Sequence, residues 1–97
     1  MAPQISAYRF SASFQQDFQA APVDVRNAVG GVLQKLLANS NSGSLRCHSL
    51  SGYGKPSLFS IDVFANHSWK ITFTVDGVEA ELRRLATHKA IDRDPRG

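Results

Sequence analysis

The sequence has little cysteine and no long apolar run. Cys47 is the only cysteine among 97 residues, so no internal disulfide can form, and an inert thiol is expected. No apolar stretch approaches the roughly 20 residues that cross a bilayer, and no basic start followed by an apolar run marks a secretory leader. We therefore expect a cytoplasmic protein without a membrane partner.

The sequence also lacks the motifs of several common enzyme classes. It contains no Gly-rich phosphate loop, no nucleophile elbow and no paired-carboxylate motif. Its three histidines have no carboxylate or thiol partners at the spacing of zinc ligands, so neither a metal nor another cofactor is expected. What is present is the balance of a globular chain, with 42% hydrophobic and 20% charged residues. At this length residues 1–97 are expected to form one domain around one modest core.

Apolar spacing before residue 40 predicts a short strand and two helices. Residues 4–10 alternate with the two-residue period of a strand. Ser13 followed by Gln16 resembles a capping box, which predicts that a short first helix begins there. Pro22 suits the first turn of a second, longer helix. The apolar stripe of that helix comprises Val25, Ala28, Val29, Val32, Leu33, Leu36 and Leu37.

Alternating apolar and polar residues in the second half predict an antiparallel sheet. Residues 59–63 and 69–75 each alternate, and a short connection joins them. Asp76-Gly77 is a strong signal for a two-residue hairpin into a last strand. The sequence therefore predicts an α+β fold in which two N-terminal helices pack on one face of a small antiparallel sheet. The other face would display Ser60, Asp62, Lys70, Thr72, Thr74, Glu79, Glu81 and Arg83.

The hairpin turn also sets which residues face each other in the last two strands. With Asp76-Gly77 as the turn, Lys70 would lie opposite Arg83, and the earlier connection would pair Lys70 with Asp62. Like charges that face each other repel unless an anion or an acidic neighbour offsets them. On charge alone, a solvated row of these three side chains and an anion-binding site both stay open.

Basic residues and a histidine gather at the C-terminal end. Residues 83–97 carry five basic side chains against two acidic ones, although the net charge of the chain is only +3. An imidazole with its ordinary pKa of about 6.5 transfers protons near neutral pH, as general acid–base catalysis requires. His88 in this segment, and His48 in the irregular segment 40–56, are therefore either surface residues or catalytic ones.

Four short motifs follow the two predicted helices. They are HSLSG at residues 48–52, the strand at 58–64, SWKITF at 68–73 and LRRLATHK at 82–89. Their order and spacing resemble the RelE/ParE superfamily of toxins from bacterial toxin–antitoxin systems, over nearly the whole chain. The His-x-Leu-x-Gly turn and the terminal Thr-His resemble the HigB/YoeB-like branch of ribosome-dependent messenger-RNA nucleases more than the ParE branch.

The resemblance implies an endoribonuclease that cleaves messenger RNA by attack of a 2′-hydroxyl on the neighbouring phosphate, without a metal. This reaction needs a base, an acid and cations around the phosphate. By resemblance, His48 is the base and His88 the acid, or the reverse, while Lys70 with support from Arg83 stabilises the phosphate. The residues that would contact the RNA backbone are Arg46, Lys55, Arg84, Lys89 and Arg93.

The resemblance also implies three partners: a cognate antitoxin protein, the ribosome and messenger RNA. The sequence departs from the family pattern in two places, since Lys70 stands where several members carry an arginine and no aromatic residue follows His88. Two alternatives stay open beside the nuclease. One is a ParE-like inhibitor of DNA gyrase that catalyses no reaction, and the other is a module that only binds an antitoxin.

Overall fold

The computed structural model describes residues 4–39, 43, 45–50, 58–64, 66 and 68–94. The helices among these residues are α1 (Ala12–Ala20), α2 (Val23–Ala38) and α3 (His88–Arg93), and the strands are β1 (Ala7–Phe10), β2 (His48–Ser49), β3 (Leu58–Asp62), β4 (Trp69–Asp76) and β5 (Glu79–Thr87). The strands form one sheet in the order β1-β5-β4-β3-β2. Within the described residues, no helix is both long enough and apolar enough to span a membrane.

The predicted α+β class is confirmed, with one addition at the edge of the sheet. The strands from β2 to β5 pair antiparallel, whereas β1 pairs with β5 in parallel. The chain leaves β1 through α1 and α2 and reaches β5 only much later, which gives it the length of connection that a parallel pair needs. The sheet is therefore mixed, and its parallel edge strand was not part of the prediction.

The first helix begins two residues before the predicted capping box. Its N-cap is Ser11, whose Oγ accepts a hydrogen bond from the Phe14 N–H at 3.1 Å. The Ser11 N–H donates to the carbonyl of Leu82 at 3.0 Å, so this residue ends the contact with β5 and starts the helix. The prediction that Ser13 caps the helix is wrong, because the end of the β1–β5 pairing fixes where the helix can start.

The core lies between the two N-terminal helices and one face of the sheet. Phe14 of α1 is 2% exposed, and its ring stacks on that of Phe18 with a centroid distance of 6.4 Å. The predicted stripe of α2 is buried at Leu36, which is 0% exposed, but Leu37 is 38% exposed and lies outside it. The sheet contributes Ile61, Ile71, Phe73, Ala80, Leu82 and Leu85.

The pairing between β3 and β4 confirms the predicted register. Asp62 lies opposite Lys70, and Phe59 lies opposite Phe73, whose ring it stacks on. The Val63 N–H continues the ladder with a 2.9 Å bond to the carbonyl of Trp69. This register was predictable because a slip of one residue would turn every apolar side chain of the strand away from the core.

The pairing between β4 and β5 differs from the prediction. Asp76 lies opposite Glu79, so the turn residues are Gly77 and Val78 and not Asp76 and Gly77. The usual Asp-Gly hairpin turn needs a positive φ at both residues, but of Asp76 and Gly77 only Gly77 has one, at 64°. The hairpin is therefore shifted by one residue at its tip.

A β-bulge shifts the register of the same hairpin further. Phe73 lies opposite Leu82 and Thr72 opposite Arg84, which leaves Arg83 as the extra residue between the two pairs. Lys70 consequently lies opposite Ala86. The predicted cross-strand pair of Lys70 and Arg83 is wrong, because neither the turn shift nor the bulge is visible in the alternation of the sequence.

The sheet face turned away from α1 and α2 is less exposed than predicted. Ser60, Asp62, Lys70 and Thr72 lie there with exposures of only 1%, 2%, 9% and 0%. The Ser60 Oγ has no hydrogen-bond partner among the residues described. The prediction that this face is open is therefore wrong for its central part.

Candidate functional site

A cavity of about 540 Å³ lies where β3 and β5 end and β4 begins. The strand pairing brings distant residues to this place, because β2 pairs with the middle of β3 and α3 follows β5 directly. The first residue of α3 is fixed to the connection before β4 by a 3.1 Å bond from the His88 N–H to the Ser68 carbonyl. Of the residues that the structure describes, those that line the cavity are Arg46, Cys47, His48, Lys70 and His88.

Three of the four predicted catalytic residues thus meet in one cavity, and one does not. His48, Lys70 and His88 line it, whereas Arg83 is absent from its lining. The Nη1 atom of Arg83 lies 2.8 Å from the Glu81 Oε1 atom on the same strand. Because the register moves Arg83 away from Lys70, the predicted support of Lys70 by Arg83 is not part of this geometry.

The ring of His48 is oriented by the residue two positions before it. Its Nδ1 atom lies 2.9 Å from the carbonyl oxygen of Arg46. A carbonyl only accepts hydrogen bonds, so Nδ1 carries the proton in this contact, and Nε2 of the neutral ring keeps its lone pair. Arg46 has a positive φ of 50°, which is rare for a residue with a side chain. The backbone turn at Arg46 places the Arg46 carbonyl beside the His48 ring. The ring is exposed, and its Nε2 atom can accept a proton.

Lys70 is held by a carboxylate beneath the cavity. Its Nζ lies 2.5 Å from the Asp62 Oδ1 atom, and the two side chains are 11% and 1% exposed. The other carboxylate oxygen, Asp62 Oδ2, lies 3.5 Å from the Nε atom of Arg46, whose side chain is 63% exposed. Among the described residues, one buried negative charge therefore faces two cations at the cavity wall, which gives these three side chains a net charge of +1 before the histidines are counted.

His88 is the first residue of α3 and faces an acidic partner one turn later. Its Nε2 atom lies 3.3 Å from the Asp92 Oδ2 atom, and both side chains are more than half exposed. The helix is capped by Thr87, whose Oγ1 accepts a bond from the Ala90 N–H at 3.4 Å. The Asp92 carboxylate oxygen is therefore placed to accept a hydrogen bond from the His88 ring.

Cys47 lines the cavity but is not a reactive thiol. Burial raises its pKa from 9.0 to about 11, so it stays protonated near neutral pH. Thiol nucleophiles and thiolate metal ligands need the deprotonated form. Within the described part of the chain, no group of three or more His, Cys, Asp or Glu side chains is arranged to hold a metal ion. The described lining thus offers two imidazoles and two cations beside a protonated thiol.

The five predicted RNA-contact residues lie in different environments. Arg46 lines the cavity, and Lys89 and Arg93 are exposed on α3. Lys55 lies outside the described residues. Arg84 is 16% exposed and engaged, since its Nε lies 2.7 Å from Asp17 Oδ2. Its Nη1 also donates to the carbonyl of the residue that follows α3 at 2.7 Å.

Asp17 is a structural residue that the sequence analysis missed. Its Oδ2 atom accepts hydrogen bonds from the Arg84 Nε at 2.7 Å and from the backbone N–H of Leu85 at 3.0 Å. The pairing of β1 with β5 stops at Leu82, and beyond that point the Asp17 carboxylate accepts the hydrogen bond of a β5 backbone N–H. The two partners are 67 and 68 positions away along the chain, so no local pattern could indicate the contact.

Replacing Asp17 with alanine should lower the free energy of unfolding by about 1–3 kcal/mol, because a charge-assisted bond is lost and a backbone N–H loses its acceptor. Urea unfolding followed by circular dichroism measures the change. Gln16→Ala is the matched control, since Gln16 is the exposed neighbour on the same helix and its loss should stay within about 0.5 kcal/mol. Equal losses in the two variants would contradict the role given to Asp17.

Comparison with known proteins identifies the fold. No family model and no curated protein sequence matches the chain. A chain of the Escherichia coli DinJ–YafQ toxin–antitoxin complex matches with a TM-score of 0.70 and 18% identity, over 87% of this chain and 93% of that one. A chain of the RelB–RelE antitoxin–toxin complex from Methanococcus jannaschii matches with a TM-score of 0.61 and 24% identity, over 87% and 94%. The YoeB/ParE toxin from Agrobacterium tumefaciens matches with a TM-score of 0.66 and 13% identity, over 84% and 98%. The fold resemblance predicted from the sequence is confirmed.

Proposed function

We propose that this chain, which has the fold of the RelE, YafQ and YoeB-type toxins, is the toxin of a toxin–antitoxin pair and an endoribonuclease that cuts messenger RNA. The observation that carries the proposal is the meeting of His48, Lys70 and His88 in one cavity. These are a proton acceptor, a cation and a proton donor, the groups that metal-independent RNA cleavage needs.

Proton transfer is assigned to the two imidazoles. Nε2 of His48 takes the proton of a ribose 2′-hydroxyl while the oxygen attacks the adjacent phosphorus atom. The bond from phosphorus to the 5′-oxygen breaks, and His88 gives that oxygen a proton, which leaves a 2′,3′-cyclic phosphate and a 5′-hydroxyl. The Arg46 carbonyl favours the tautomer of His48 that can act as a base. His88, whose Nε2 atom lies 3.3 Å from the Asp92 carboxylate, is assigned the role of the acid.

Charge stabilisation is assigned to Lys70 and Arg46. Lys70 has three N–H donors on Nζ, and its contact with Asp62 leaves donors for the oxygens of a phosphate. Arg46 takes the supporting role that the sequence analysis gave to Arg83, because it lines the cavity and Arg83 does not. Lys89 and Arg93, exposed on α3, are the candidates for contact with the RNA backbone next to His88.

The proposed partners are an antitoxin protein, the ribosome and messenger RNA, in the cytoplasm. Several of the similar structures are complexes of a toxin with an antitoxin, which supports a protein partner of that kind. The described residues of the cavity offer imidazoles and cations, which suit a phosphate. The proposal therefore includes a second surface that holds the message in place, and the ribosome is the candidate for it.

The proposal predicts that inducible expression of the chain arrests growth and produces new transcript 5′ ends inside translated messages. His88→Ala should remove both effects, since loss of the general acid lowers the rate by about 10²- to 10⁴-fold. Sequencing of RNA 5′ ends before and after induction measures the cleavage. Asp24→Asn, an exposed change on α2, is the control that should behave as the wild type.

The same experiment separates the nuclease from its alternatives. Growth arrest with intact transcripts, unchanged by His88→Ala, would overturn the nuclease and favour an inhibitor of another target. A supercoiling assay with purified gyrase then tests whether that target is the topoisomerase. Absence of any arrest in an expressed and folded chain would favour the module that only binds an antitoxin.

A further inference from the structure

We infer that Asp62, a residue with no role in the reaction scheme above, is a positioning residue that fixes Lys70 at the cavity wall and keeps Arg46 available to the phosphate. The inference rests on the proposed function for its catalytic meaning, but the geometry behind it can be tested without RNA. The backbone around Asp62 is held from two sides.

The position of the Asp62 carboxylate is fixed by its strand. The Asp62 N–H donates to the Leu45 carbonyl at 2.7 Å, on the segment that precedes β2. The next residue, Val63, donates its N–H to the carbonyl of Trp69 at 2.9 Å. Asp62 also lies opposite Lys70 in the β3–β4 ladder. The carboxylate therefore projects from a backbone that is bonded to both neighbouring segments, and it can serve as a rigid anchor.

The two cations are held with very different tightness. Lys70 Nζ lies 2.5 Å from Oδ1, and its side chain is 11% exposed, so little water competes for it. Arg46 Nε lies 3.5 Å from Oδ2, and its side chain is 63% exposed. A buried charge pair at short distance is much less screened than an exposed one. Asp62 consequently immobilises Lys70 while it only loosely restrains Arg46.

This difference suits the binding of a phosphate. A lysine that is already ordered loses no further side-chain freedom when the anion arrives. Arg46 can leave the carboxylate and bind the phosphate through its guanidinium, which is adapted to such contacts. When Arg46 leaves, Asp62 still pairs with Lys70, so no buried charge is left alone. The carboxylate thus holds one cation for the reaction and releases the other.

The test compares Asp62→Asn, which keeps the size of the side chain and removes its charge, with the wild type. Without the negative charge, Lys70 should become mobile, and its acetylation by acetic anhydride should accelerate at least several-fold. Peptide mass spectrometry measures the modification, and the exposed Lys89 serves as the internal reference. Asp76→Asn changes the net charge by the same amount at an exposed position far from the cavity along β4 and is the control.

RNA binding and cleavage provide a second readout. In Asp62→Asn the cavity is more positive, so the affinity for a short single-stranded RNA should rise, and log K should fall more steeply with log salt, by about 0.7 for one further phosphate contact. In the ribosome-dependent reaction, KM should fall while kcat falls about tenfold or more, because Lys70 is no longer fixed. A merely structural role would not move KM and kcat in this combination.

A second variant protects the test against a loss of folding. Arg46→Gln leaves the pair of Asp62 and Lys70 intact, so its Lys70 should be labelled at the wild-type rate while RNA affinity falls. If Asp62→Asn leaves the labelling of Lys70 unchanged, or if Arg46→Gln accelerates it as much, the inference is overturned. If the wild-type chain does not cleave RNA on the ribosome, the proposed function fails instead, and the labelling still decides whether Asp62 fixes Lys70.

Discussion

Replacing His48 with glutamine should lower the rate of RNA cleavage by about 10²- to 10⁴-fold and leave the fold intact. Glutamine can still donate its amide to the Arg46 carbonyl, but it cannot take up the proton of a 2′-hydroxyl. The side chain is exposed in the two-residue edge strand β2, so its replacement removes little packing. Single-turnover cleavage of a message bound to the ribosome measures the effect directly.

The pH dependence distinguishes the two imidazoles in the same assay. A base must be deprotonated to act and an acid must be protonated, so wild-type cleavage should decline towards both low and high pH. The decline at low pH should vanish in the residual activity of His48→Gln, and the decline at high pH should vanish in His88→Gln. The opposite pattern would exchange the two roles.

Ser49→Ala is the matched control for His48. Ser49 is the other exposed residue of β2, lies opposite Phe59 in the ladder and does not line the cavity. Its cleavage rate should stay within about twofold of the wild type, because no group of the cavity is altered. Loss of activity of the same size in Ser49→Ala would indicate that β2 matters through its backbone pairing and not through the imidazole.

The parts of the fold that were predicted correctly depend on local patterns. Most of the stripe of α2, without Leu37, and the pairing of Asp62 with Lys70 follow from the spacing of apolar residues, which have only one buried face to occupy. The start of α1 at Ser11 was missed because it depends on a bond to Leu82, far away in the sequence. Parallel pairing of β1 with β5 was missed for the same reason.

The candidate site was predicted in its residue types but not in its full geometry. His48, Lys70 and His88 were identified through motifs, and each lies at the cavity. Arg83 was chosen from an assumed turn, and a bulge of one residue was enough to remove it. Arg46 was predicted only as a contact for the RNA backbone. Its place beside Lys70 depends on the buried carboxylate that both face, which no spacing in the sequence indicates.

Leu36 lies in the core and not at the candidate site, so we expect its replacement to have a large effect on stability and none on catalysis. Leu36→Ala should lower the free energy of unfolding by about 2–5 kcal/mol, because Leu36 is 0% exposed and its loss leaves a cavity in the core. In a domain of this size the melting temperature should fall by about 4–8 °C for each kcal/mol.

Leu37→Ala is the matched control, since the same side chain is 38% exposed one position later on α2, and its loss should be about 1 kcal/mol or less. Leu36 does not line the site, so cleavage per folded molecule at low temperature should be retained in both variants. A stability loss of equal size in the two variants would mean that α2 packs on the sheet through a different face, and the position of the core would have to be revised.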